Sequence, residues 1–228
     1  KLLHKLMLYI VPTPLGNLGD ITARAQEQLS SCDFIIAENP LTTGKLIKLL
    51  GLPKKPIVQF ADHNERLVTE KYIARLSTET ACLVSDAGTP GISDPGFRLV
   101  RAARESNIEV VALPGANAAT TALSASGLPT DRYMFAGFFA KTEHKVVELI
   151  NQAKVAEATL ITYESPQRIV KTLQYIEKNF PEVNCVVARE LTKMHEEYIA
   201  GTPTEILEKL KTKQSIKGEI TFLLSFKK

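Results

Sequence analysis

Val84-Ser85-Asp86-Ala87-Gly88-Thr89-Pro90-Gly91-Ile92-Ser93-Asp94-Pro95-Gly96 decides how this chain is read. An apolar run enters the stretch and a helical pattern leaves it, so a strand, a stiff bend and a helix start follow one another directly. Gly88, Gly91 and Gly96 can take positive φ or let a ligand lie against bare backbone, while Pro90 and Pro95 stiffen what the glycines would leave loose. Asp94 followed by Pro95 predicts an N-cap and a first helical residue, with the helix running over residues 95–107. An ordinary turn uses the same residues, so the function of this one depends on what stands beside it.

Outward from that stretch, apolar segments of strand length recur at 6–11, 34–37, 57–60, 81–85 and 109–113, and most intervening segments have helical periodicity. In residues 64–77, Leu67, Tyr72, Ile73 and Leu76 share one side of a helix, with Glu65, Glu70, Lys71 and Arg75 over much of the rest. Such β/α alternation predicts a mainly parallel sheet covered on both faces. Two further stiff loops leave strands of this sheet. They are Pro12-Thr13-Pro14-Leu15-Gly16-Asn17-Leu18-Gly19-Asp20 and Pro114-Gly115-Ala116-Asn117. Open parallel sheets bind ligands at the carboxyl ends of their strands, so the three loops are expected to converge on one edge as a shared binding site. The first loop lacks the G-x-G-x-x-G order, which argues against an ordinary dinucleotide fold or a Rossmann-type methyltransferase.

The rhythm changes after residues 113–117 and a small-residue helix over 118–126. Strands are expected at 133–137, 159–163, 185–189, 197–200 and 218–226, with helices at 143–154 and 166–179. Thr202-Pro203-Thr204-Glu205 is a capping box with proline in the first turn and starts a helix reaching about Lys211. The short spacings favour a mixed sheet with antiparallel pairs. Two α/β domains follow, 1–115 and 116–228, with ligand expected in a cleft between them.

With 228 residues, 44% of them hydrophobic and 23% charged, the composition is that of ordinary globular protein, not of a disordered chain. No apolar run approaches the roughly 20 residues that cross a bilayer, and residues 1–10 are followed by no small-residue cleavage site, so a cytoplasmic protein without a membrane partner is expected. Cys32, Cys82 and Cys185 are widely spaced and suggest neither a disulfide framework nor a metal site. The net charge of +3, shared evenly between the halves, is compatible with an RNA partner without requiring one.

The segments Val11 through Leu18, Asp62-His63-Asn64-Glu65, Val84 through Gly96, Leu113-Pro114-Gly115, Ser126-Gly127-Leu128-Pro129, Tyr163-Glu164-Ser165 with Arg168, and Ala188-Arg189-Glu190-Leu191-Thr192-Lys193 carry a resemblance. In this order they resemble the bacterial cytidine 2′-O-methyltransferases of small-subunit ribosomal RNA, a branch of the tetrapyrrole methylase superfamily. The resemblance implies a two-domain α/β methylase fold with a mainly parallel N-terminal sheet and a mixed C-terminal sheet. It also implies a homodimer, S-adenosylmethionine folded into the interdomain cleft, and methylation of a cytidine ribose in small-subunit ribosomal RNA. Carried over by position, it assigns Leu15, Thr89, Ile92, Asn117, Ala118, Tyr163 and Ala188 to the cofactor, with Asp86 and Gly88 shaping the loop.

Methyl transfer is an in-line displacement, and much of its barrier is removed by holding that line. A carboxylate or imidazole beside the ribose hydroxyl can accept its proton; Glu38, His63 and Glu164 are the candidates. Arg168, Arg189 and Lys193 are candidates for gripping phosphates, although Glu164 and Arg168 also have the spacing of a helical ion pair. The chain departs from the family pattern where Ala37-Glu38-Asn39-Pro40-Leu41 replaces Ala-Glu-Asp-Thr-Arg, and where Gln167 replaces a histidine. The departure at Asn39-Pro40-Leu41 leaves open a cofactor- or RNA-binding protein without turnover, and a small-molecule methylase of the same superfamily acting on a tetrapyrrole is the third reading.

Overall fold

The computed structural model describes residues 6–61 and 64–227. The chain divides into two compact units, Lys1–Asn117 and Ala118–Lys228.

In the first unit β1 (Met7–Ile10), β2 (Phe34–Ala37), β3 (Ile57–Gln59), β4 (Ala81–Val84) and β5 (Glu109–Ala112) form a sheet in the order β3-β2-β4-β1-β5, with every pair parallel. The intervening helices are α1 (Ala23–Ser31), α2 (Pro40–Leu49), α3 (Glu65–Leu76) and α4 (Phe97–Glu105). They cover both faces, as the alternation predicts. Tyr72, Leu76, Leu99 and Ala103 of α3 and α4 pack with Leu8, Ile36 and Leu83. Ala25, Leu29 and Ile47 of α1 and α2 pack with Val11, Ile35 and Val84 on the other side. Consecutive residues of β2 and β4 feed opposite clusters, so neither strand shows a polar face, and each fully buried side chain of this kind contributes roughly 1.5–3 kcal/mol. Because β1 lies between β4 and β5, the loops leaving these three strands emerge side by side.

One helix start differs from the expectation. Residues 94 and 95 stand outside α4, whose N-cap is Gly96 at φ 148°. Ser93 at φ 63° and Gly96 keep the backbone out of the helical region until Phe97, and a Cβ at 96 would lie 3.1 Å from the Gly91 nitrogen. The Asp-Pro pair therefore belongs to the loop.

The second unit contains α5 (Ala118–Ser126), β6 (Tyr133–Phe138), α6 (Glu143–Val155), β7 (Thr159–Glu164), α7 (Ile169–Asn179), β8 (Asn184–Arg189), β9 (Glu197–Gly201), α8 (Pro203–Lys211) and β10 (Ile220–Ser225). Its sheet runs β6-β7-β10-β8-β9; β6 and β7 are parallel, while β10 is antiparallel to both neighbours and β9 to β8. Val146, Ile150, Leu173, Ile176, Ile206 and Leu210 bring α6, α7 and α8 onto one face, against Leu160, Val187, Phe222 and Leu224. The small-residue helix α5 packs on β7, β8 and β10. The capping box of α8 forms in both directions, with the Thr202 amide donating to Glu205 at 2.8 Å and the Glu205 amide to Thr202 at 3.4 Å. Helix α7 begins three residues later than expected, because Ser165 accepts from the amides of both Arg168 and Ile169 and closes a turn first.

Among the described residues no helix is long and apolar enough to cross a membrane, and no group of three or more His, Cys, Asp and Glu could hold a metal ion. All three cysteines are free and buried.

Candidate functional site

In the first unit the loops after β1, β4 and β5 meet at Gly88. Thr13 and Gly88 exchange both backbone hydrogen bonds at 2.9 Å, an isolated antiparallel bridge between two loops. The Thr13 hydroxyl donates to the Ser85 carbonyl at 3.1 Å, and the Thr89 hydroxyl to the Ala116 carbonyl at 2.9 Å. Gly88 has φ 85°, and a Cβ there would stand 3.3 Å from Leu15 and 3.8 Å from the Ala116 oxygen. Glycine is thus required twice over, by conformation and by crowding. The predicted residues Leu15, Gly88 and Thr89 are brought together here. Ile92, half-exposed, is tied back to Thr89 through its amide at 3.2 Å, and Asn117 follows Ala116 directly.

The chemistry of this rim is defined by its donors and acceptors. Its three loops, residues 12–17, 85–96 and 113–117, contain no lysine, arginine or histidine. Backbone carbonyls, small side chains and the two carboxylates Asp86 and Asp94 remain. Such a surface suits a cationic or neutral flat ligand and does not suit a phosphate, which needs converging donors.

Beside the rim, β2 and β4 end with a reciprocal contact. The Asp86 amide donates to a Glu38 carboxylate oxygen at 3.4 Å, and the Asn39 amide stands where it favours the charged form of the Asp86 carboxylate. Partial withdrawal from water pushes the Asp86 carboxyl above the ordinary aspartate value, and the Asn39 contact offsets only part of that rise. Asn39 is also the N-cap of α2, accepting from Leu41 at 3.0 Å and Thr42 at 3.4 Å, with Pro40 in the first turn. The departure at Asn39-Pro40-Leu41 therefore builds a sound helix start and leaves Leu41 86% exposed. His63, with Asp62, lies outside the described residues.

In the second unit the register lines up a row across the sheet. Phe138 pairs with Tyr163, Tyr163 with Thr221, Thr221 with Ala188, and Ala188 with Tyr198. Paired residues point to the same side, so the predicted Tyr163 and Ala188 flank Thr221 on one face. Ala118 opens α5, which packs on these strands. Thr221 was not among the residues singled out from the sequence. Nothing short of the strand order and register reveals it.

The charged candidates of this unit stand in internal pairs. Glu164 is 2% exposed; its carboxylate accepts from the Ser165 amide at 2.7 Å and the Thr172 hydroxyl at 2.7 Å, and forms an ion pair with Arg168 at 3.2 Å. Arg168 also donates to the carbonyls of Phe139 at 2.7 Å and Ala140 at 2.9 Å. Arg189 pairs with Glu197 at 3.2 Å and donates to the carbonyls of Lys217 and His195. Lys193 bridges Glu190 at 2.9 Å and Glu219 at 2.7 Å. Burial alone would lower the Lys193 pKa, but the two carboxylates outweigh it and raise it; Lys193 in turn holds Glu190 below the ordinary glutamate value. These pairs pin a strained loop after β8, in which Glu190 has φ 52° and Thr192 φ 66°.

A family model described as Tetrapyrrole (Corrin/Porphyrin) Methylases matches residues 7–207. The chain is 44% identical over 220 residues to the ribosomal RNA small subunit methyltransferase I of a Hydrogenobaculum species, covering 96% of this chain and 95% of that one. It is also 44% identical over 221 residues to the protein of the same name from Escherichia coli O157:H7, covering 95% and 77%. Among solved structures, a diphthine synthase superposes with a TM-score of 0.76 at 14% identity, covering 96% of this chain and 90% of that one, a likeness of fold.

Proposed function

The chain belongs to the tetrapyrrole (corrin/porphyrin) methylase family, and from that premise we propose that it transfers a methyl group from S-adenosylmethionine to the ribose 2′-oxygen of a cytidine in small-subunit ribosomal RNA. The observation that carries the reading is the meeting of three loops at Gly88 on a rim without a cation. That the relatives at 44% identity are named for ribosomal RNA favours RNA over a tetrapyrrole as substrate. A cytoplasmic homodimer completes the proposal, on the strength of the resemblance.

S-adenosylmethionine supplies an electrophilic methyl group on a positively charged sulfur. The residues present fit such a group: a rim of carbonyls without a cation tolerates positive charge, and the half-exposed apolar side chain of Ile92 suits a flat ring system. Carried over from the resemblance, Leu15, Gly88, Thr89, Ile92 and Asn117 in the first unit are assigned to the donor, as are Ala118, Tyr163 and Ala188 in the second, while Asp86 shapes the loop. Glu38 is the residue we assign to receive the ribose proton, because its carboxylate borders the same rim at the Asp86 amide. Glu164 fits a positioning role better. Its oxygens are taken by two hydrogen-bond donors and an ion pair in a buried site. The arginines and Lys193 orient the surrounding backbone through their pairs, and phosphate contact by any of them would compete with a carboxylate already in place.

Incubation with methyl-labelled donor and small ribosomal subunits is the test. Label recovered in a nuclease-resistant dinucleotide bearing a 2′-O-methylcytidine supports the reading; label confined to a base or to protein refutes it.

A further inference from the structure

Tyr133, Phe135 and Phe138 stand on one face of β6, and a backbone irregularity makes this so. The register sets Tyr133 beside Thr159, Phe135 beside Ile161 and Phe138 beside Tyr163, whereas strict alternation would turn Phe138 away from Phe135. The extra residue is absorbed near Gly137, at φ 65°, which returns Phe138 to the face of the other two rings. Met134 and Ala136 meanwhile pack against the core on the opposite face. Tyr163 meets Phe135 at 5.0 Å and Phe138 at 5.6 Å between ring centroids, both edge to face. Even so, Phe138 remains 61% exposed and Tyr133 48%.

Two more observations say what this stripe is for. It lies on an edge strand of its sheet, and the stretch from Asp131 to Thr142 carries the exposed Lys141 just beyond Phe138, with Arg132 at the other end tied to the Ala156 carbonyl at 2.9 Å and Asp131 as the single acid. The bend directly after Phe138 is also held rigidly. Arg168 donates to the carbonyls of Phe139 and Ala140, and Glu164 and Thr172 hold Arg168 in turn through the buried carboxylate. Rings kept open to solvent, aligned by a bulge and locked through an ion pair with a buried carboxylate are pre-organised for contact with a flat partner.

We infer that this stripe is a stacking platform for unpaired bases of the RNA beside the methylated nucleotide, with Phe138 as its principal ring; the inference rests on the substrate reading above. Unpaired bases stack on aromatic side chains whatever their sequence, and Lys141 at the Phe138 end of the stripe is placed in the sequence to hold a connecting phosphate. Arg168 and Glu164 act on RNA through the backbone they fix and are positioning residues.

The test uses the full chain with S-adenosylhomocysteine and an unstructured, cytidine-rich oligoribonucleotide. Phe138→Leu is expected to weaken RNA binding roughly 5- to 100-fold without altering the salt dependence, while Phe138→Tyr restores it and Lys141→Gln reduces the salt slope. Tyr133→Leu, at the open end of the strand, is expected to show a smaller loss in the same assay and serves if Phe138→Leu folds poorly. RNA affinity unchanged in both leucine variants overturns the platform. So does a dimer that dissociates in them on sedimentation, which would make the stripe a protein interface. If the unaltered protein methylates no ribosomal RNA yet binds the oligonucleotide through Phe138, the platform stands and the substrate reading falls.

Discussion

Gly115 lies so close to Pro12 that a β-carbon at 115 would stand 2.7 Å from the Pro12 β-carbon. The loops after β5 and β1 thus touch backbone to ring, and the rim around Gly88 keeps its shape only while residue 115 lacks a side chain.

Gly115→Ala is expected to push these loops apart, costing about 1–3 kcal/mol in stability and at least tenfold in affinity for S-adenosylhomocysteine. Gly44→Ala is the control. Gly44 lies inside α2 with its nearest neighbour, Ile57, at 3.9 Å, so alanine there is expected to stabilise by about 0.5–1 kcal/mol. Urea unfolding and calorimetric titration of both variants decide the matter.

The raised pKa of Asp86 gives methyl transfer a particular pH dependence. A carboxylate that binds its proton more tightly than usual is neutral up to a higher pH, so kcat/KM is expected to rise through a value above the ordinary aspartate range. Asp86→Asn should remove that limb, and Glu38→Gln should lower kcat by about 10²–10⁴ while cofactor affinity changes little. A pH–rate series on small ribosomal subunits measures both.

Removing the charge of Glu164 leaves Arg168 without its partner at a buried site. Glu164→Gln keeps an acceptor oxygen for one of the two accepted hydrogen bonds and the volume of the side chain, so the expected loss is about 1–3 kcal/mol, smaller than for Glu164→Ala. Hydrogen exchange at residues 138–141 should quicken in both variants, because the carbonyls that Arg168 holds are released.

Acid should loosen the second unit first around the β8–β9 loop. Lys213 and Arg189 lower the pKa of Glu197, and Lys193 with the Glu219 amide lowers that of Glu190. A carboxylate depressed in the folded state stabilises fully above its unfolded pKa, and the benefit fades as pH falls through the depressed value. With these side chains a fifth to a third exposed, the combined effect is expected to be about 0.5–1.5 kcal/mol. Lys193→Met should flatten that part of the stability–pH curve, as read by chemical denaturation from neutral pH downward.

Much of this was legible in the sequence where the information is local. Apolar periodicity located the strands, and the parallel rule brought the loops at residues 12–20, 84–96 and 114–117 to one edge. Asp94-Pro95 misled because helix-start preferences were outweighed by Gly96 and Ser93, whose positive φ postpones the first turn. Glu164 read equally well as a base or as half of a helical pair, since its burial depends on Thr172 and the packing of α7. The row from Tyr163 through Thr221 to Ala188 was beyond reach, because β10 joins strands that precede it by more than thirty residues.

The placement of β10 also orders the birth of the protein. Every strand of the first sheet has been made by Ala112, so that layer can close while synthesis continues. The second sheet must wait, because Ile220–Ser225 is the plank that joins the β6–β7 pair to the β8–β9 pair, and it leaves the ribosome after both. Until then the flanks of that gap present unsatisfied amides and carbonyls, and a nascent chain stalled short of residue 220 is expected to be a target for chaperones and proteases.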